Sequence, residues 1–225
     1  MARGRSTGRF LAVAGAALVA LLLGAAPLAR TRRSPERQAS GAPAEVLKAR
    51  LAGLLSGMRS ASWVQTAWER KGEKEQLVRV RCQWRSDGVL RLDVEEGKGA
   101  GASLLWQGDR VLIHPPGIFN AMTLHRRVDD DQLRSLRGKT LASVGFLPEL
   151  SRVLAQWPQV ALSFAGSEAV LDYQNAERLP AKLSLSLESL APLSLEVYEN
   201  GNLVEFTLFR DVRFGAPVDL EDFEP

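Results

Sequence analysis

Few side chains in this 225-residue sequence are of types that do chemistry. Its two histidines are His114, before Pro115-Pro116, and His125, in Leu124-His125-Arg126-Arg127. A hydrolytic triad would place one of them beside a nucleophilic serine and an orienting acid. No serine sits in a Gly-x-Ser-x-Gly elbow, so each histidine reads as a polar strand-end or surface residue. Asp129-Asp130-Asp131 lacks the spaced ligands and glycine of a calcium loop and reads as the solvated start of a helix. Gly97-Lys98-Gly99-Ala100-Gly101 lies between two strand patterns, whereas a phosphate cradle leads into a helix N-terminus. Cys82 alternates with valines and reads as a small buried hydrophobe. One cysteine makes neither an internal disulfide nor a thiolate zinc site. Catalytic residues, a metal and a cofactor are therefore not expected.

Charge narrows the partners. Residues 1–43 hold seven arginines and one acid, a net +6, which leaves residues 44–225 at −3. A slightly acidic body lacks the footprint of a nucleic-acid binder. Arg3, Arg5 and Arg9 precede the apolar run Phe10 to Ala29, the arrangement of an export signal. The run also approaches the length of a membrane span, and Arg30, Arg32 and Arg33 follow it, so cleavage and retention as an anchor both stay open. Residues 30–43, with Pro35, Gly41 and Pro43, have a linker composition. The expected division is a signal or anchor over 1–29, a polar linker over 30–43 and one domain over 44–225.

That domain opens on a helix, because Leu47, Leu51, Leu54, Leu55 and Met58 form one stripe at helical spacing. From Ser60 the period becomes two. Val78, Val80, Cys82 and Trp84 alternate with polar residues, and so do Leu90, Leu92 and Val94, with Ser86-Asp87-Gly88 between the runs. Ser103–Trp106 and Arg110–His114 flank Gly108-Asp109, and Phe119–Arg127 is a further candidate strand. Later strands carry Leu183, Leu185 and Leu187, then Leu193, Leu195 and Val197. After Asn200-Gly201 come Val204, Phe206 and Leu208, read as an apolar face. Helices are expected over Asp129–Arg137 and over Phe146–Trp157, which stops at Pro158. The reading is about five strands, two short helices and about four strands. It implies an α+β fold in which one curved antiparallel sheet is covered on its concave face by helices. Trp63, Trp68, Trp84, Trp106 and Trp157 can fill such a core or line an elongated apolar pocket.

Three strings carry a family resemblance: Arg81–Val94 (RCQWRSDGVLRLDV), Leu105–Pro115 (LWQGDRVLIHP), and the ending with Phe214, Pro217, Leu220 and Phe223. Together they resemble the LolA/LolB-like lipoprotein-localisation superfamily over Ala44 to Pro225. The resemblance implies a half-barrel closed by helices that binds lipid acyl chains, or a lipoprotein through them, without catalysing a reaction. Its place would be the periplasm or the periplasmic face of the inner membrane, with membrane contact through the N-terminal segment. It further implies an arginine that latches the helical lid, matched best by Arg91 and otherwise by Arg81. The residues expected to line the cavity are Trp68, Val80, Trp84, Leu92, Trp106, Leu150 and Leu154. An envelope sensor or structural protein that uses the same fold to bind a protein partner is the alternative. The stretch Thr140–Gln156 departs from the carrier and is more similar to other exported relatives.

Overall fold

The computed structural model describes residues 42–117 and 122–221. The segment 1–29 expected to direct export, the expected linker as far as Gly41, and Phe119 and Phe223 lie outside the described residues. The domain begins with α1 (Ala42–Gly57), which has Pro43 in its first turn, where a missing N–H costs nothing. Its expected stripe faces inward: Leu47, Leu51 and the following Met58 are buried, and Leu54 and Leu55 pack beside them.

Eleven strands follow among the described residues. The first six are β1 (Ser60–Lys71), β2 (Lys74–Arg85), β3 (Val89–Gly97), β4 (Ser103–Gln107), β5 (Arg110–His114) and β6 (Leu124–Arg127). A crossover then carries two 3-10 turns, Asp131–Leu133 and Leu141–Ser143, and α2 (Leu147–Gln156). The last five are β7 (Ala161–Ala165), β8 (Glu168–Gln174), β9 (Pro180–Ser186), β10 (Pro192–Glu199) and β11 (Asn202–Phe214). They form one sheet in the order β6-β5-β4-β3-β2-β1-β11-β10-β9-β8-β7, antiparallel at every pairing. The chain therefore starts in the middle of the sheet and meanders to one edge. It crosses to the other edge and meanders back until β11 pairs with β1. The result is the expected α+β architecture, an open curved antiparallel half-barrel.

Short local signals set the register. Asn200 and Gly201 both have positive φ, 52° and 78°, the pair a tight primed hairpin turn needs between β10 and β11. Strand alternation sends Val78, Val80 and Cys82 to the concave face with Leu90, Leu92 and Leu104. Across the sheet, Leu171, Leu183, Leu185 and Val197 have no exposed surface and meet Leu51, Leu150 and Val153 of the two helices. Phe146, at the start of α2, stands edge-on to Trp63 (5.0 Å), Phe209 (5.8 Å) and Phe214 (6.2 Å), and so pins the crossover to the sheet.

Three expectations need correction. The helix expected over Asp129–Arg137 is only the turn Asp131–Leu133, because this polar stretch has no apolar stripe to bury and Arg137 is drawn into long-range ion pairs. The strands number six and five rather than about five and four, since Ala161–Ala165 and Glu168–Gln174 form an added hairpin. On β11 Val204 is buried as expected, but beyond it the faces are reversed. Glu205, Thr207 and Phe209 point to the concave side, while Phe206 pairs with Trp68 on the convex side, because the pairing with β1 aligns Glu205 with Glu69.

Candidate functional site

Between the concave face and the crossover lies a cavity of about 340 Å³. One wall is apolar: Val78 and Val80 of β2, Leu92 and Val94 of β3, Leu104 of β4 and Ile113 of β5. Strand alternation sets these six on one surface. The crossover covers them with Leu133, Leu141 and Val144. The other wall, from β1, β11 and α2, is more polar and presents Gln65, Glu69, Glu205, Thr207 and Glu149 beside Ala67 and Phe209.

An ion-pair cluster fastens the crossover to the sheet. Arg137 Nε lies 2.9 Å from Glu205 Oε1, Nη1 lies 3.2 Å from Glu199, and Nη2 lies 3.3 Å from Glu177. Its Nη1 also donates to the Arg70 carbonyl, and its backbone N–H donates to Glu69 Oε2. Lys139 Nζ donates to the second oxygen of Glu205. Glu205 is only 4% exposed. Burial pushes its carboxyl above the ordinary glutamate range, and Lys139 works against that shift. Glu149 is buried too; it accepts the Tyr173 hydroxyl at 2.6 Å and lies 3.5 Å from Arg152 Nε. Burial, then the Glu149 charge, raises the Tyr173 phenol far above its usual value, so it acts here as a donor.

The seven residues expected to line the cavity separate into groups. Val80 and Leu92 stand on the apolar wall. Trp84 and Trp106 share that face but sit farther along it, both paired with Leu90 and packed against the core. Leu150 is fully buried in the core, and Leu154 is half-buried beside it. Trp68 is on the convex face, one residue out of phase with Ala67 and Glu69, and its indole donates to Glu75. Arg91 and Arg81 also project from the convex face, because they alternate with Leu92 and Cys82. Arg91 is buried there. It donates to both oxygens of Asp93 and to the Asp219 carbonyl, while Asp219 N–H donates to Gln83 Oε1, so it anchors the C-terminal segment. Arg81 pairs with Glu95.

The chemistry-bearing side chains stay apart. His114 Nε2 is 3.1 Å from Thr123 Oγ1, and His125 is exposed on β6. Asp129, Asp130 and Asp131 pair with Arg127, Arg126 and Arg134. Cys82 has no exposed surface, and burial raises its thiol well above the usual range. Among the described residues no three metal-donor side chains converge.

Comparison with solved structures finds likenesses at low identity and low TM-score. The chain is similar to a LolA superfamily protein from Nitrosomonas europaea, at 10% identity over 81% of this chain and 97% of that one, with a TM-score of 0.40. It is similar to a DUF1329 family protein from Desulfovibrio piger, at 11% identity over 80% and 95%, with a TM-score of 0.42. It is also similar to a chain of the Pseudomonas aeruginosa MucA/MucB complex, at 18% identity over 79% and 60%, with a TM-score of 0.39. The likeness is one of fold. No protein-family model matches the sequence, and no curated protein sequence does either.

Proposed function

We propose that the chain is an exported, non-enzymatic binding protein that holds a lipid acyl chain, free or belonging to a lipoprotein, between the half-barrel and its crossover. The observation that carries this reading is the unfilled apolar wall of Val78, Val80, Leu92, Val94, Leu104 and Ile113. Each methylene laid against it contributes about 0.8 kcal/mol, so chain length is a direct source of affinity. The crossover is the lid, and Arg137 with Lys139 is its latch, the role that the family resemblance implies for Arg91 or Arg81. The N-terminal segment serves export, to the periplasm or the periplasmic face of the inner membrane.

Titrating the full chain with a fluorescent fatty-acyl probe tests this. Saturable uptake at micromolar probe is expected, and Leu92→Trp, which fills the cavity, should remove it. Absence of saturable uptake by the parent chain would overturn the reading.

A second reading, binding of a protein partner, draws on the strands that end the sheet. Among the described residues, strands β6 and β7 each pair on one side only, and an extended segment can add to such an edge. A partner crosslinked to the chain and retained by Leu92→Trp would favour this reading over the first.

A further inference from the structure

The cavity is lopsided, and its asymmetry bears on the ligand's head. Opposite the apolar wall, Glu69, Glu149 and Glu205 face the space together with Gln65 and Thr207. Of the three cations that line the cavity, Lys139 is committed to Glu205, Arg134 is paired with Asp131 at 2.8 Å, and Lys98 is exposed on the β3–β4 loop. Glu149 uses Oε2 for Tyr173 and Arg152, and Glu69 uses Oε2 for the Arg137 N–H. Nothing among the described residues donates to the Oε1 of either. The polar end thus offers spare acceptors and little free positive charge.

A chain lying along the apolar wall brings its head among these acceptors. A carboxylate there meets like charges in a partly desolvated space, which is costly. A hydroxyl or amide N–H finds a partner. Resting on the acyl-chain reading above, we infer that the site selects single-chain amphiphiles whose head is an uncharged hydrogen-bond donor, and discriminates against fatty acids of equal length.

The test is competition at neutral pH against the fluorescent acyl probe bound to the full chain, with monomyristoylglycerol and myristate as competitors. The glyceride should displace the probe at about tenfold lower concentration, a difference of about 1.4 kcal/mol. Glu149→Gln keeps the side chain's shape and its bond from Tyr173 while removing the charge, and it should narrow the ratio to threefold or less. Glu69→Gln reads the same effect should that variant fail to fold. Equal potency of the two competitors would overturn the inference and leave the acyl-chain reading standing. So would a preference for myristate that disappears in Lys98→Gln, because the head would then lie at the rim. A parent chain that takes up no probe would instead overturn the acyl-chain reading itself.

Discussion

Glu205 is the residue at which sequence pattern and structure diverge most. It occupies a position that alternation assigns to solvent, yet it lies on the concave face and is held by Arg137 and Lys139. Removing one partner of such a pair leaves a buried charge poorly compensated. Lys139→Met should cost about 1–3 kcal/mol, below the ~3–5 of a fully orphaned pair because Arg137 remains. Adding Glu205→Gln should recover much of the loss, as read from urea midpoints at constant m-value. The pH response has a definite sign. The folded chain binds the Glu205 proton more tightly than the unfolded chain does, so this group's contribution to stability falls as pH rises from the unperturbed 4.5. The stability of Glu205→Gln relative to the parent should therefore improve between pH 4.5 and neutrality. An unchanged difference across that window would show that Glu205 titrates normally. No sequence feature within β11 marks Glu205 as buried, because its partners lie more than 60 positions away.

At the scale of elements, the strands with strict alternation were readable: β2, β3, β9 and β10, each carrying an apolar set on the concave side. So was α1, whose stripe is continuous, and α2, bounded by Pro148 near its start and Pro158 beyond its end. The β7–β8 hairpin is not legible in the sequence although Ala169, Leu171 and Tyr173 alternate, because Val170 blurs the pattern. The part of the crossover before α2 was unreadable for a different reason. Its conformation depends on contacts with the sheet rather than on its own periodicity. Gly145 shows this most sharply: its φ is +81°, and a Cβ there would lie 2.4 Å from the Trp63 ring. Gly145→Ala should destabilise the domain by more than about 1 kcal/mol, combining left-handed strain with displacement of an aromatic neighbour. The loss should appear in the thermal midpoint together with a change in tryptophan emission. An unaltered midpoint would mean that the crossover does not depend on this contact.

For the whole molecule, the topology explains why a cavity exists at all. A strand path whose first and last strands pair at mid-sheet, with both edges visited between, needs one long connection from edge to edge, and here it runs across the concave side. That connection packs tightly where α2 and Phe146 meet the core. Over β2 to β5 the large apolar side chains it brings to the cavity, among the described residues, are Leu133, Leu141 and Val144, against a broader apolar wall. The half-barrel, its helices and an apolar interior were thus foreseeable from periodicity. The position of the cavity was not, because it depends on how far the crossover reaches. The most direct measurement is photo-crosslinking of the full chain with a fatty-acyl probe that carries the reactive group at its tail, followed by mass-spectrometric mapping of the adducts. The account requires saturable labelling in the peptides that contain Val78–Val94 and the crossover over 132–145. Labelling confined to the convex face, or labelling that does not saturate, would contradict it.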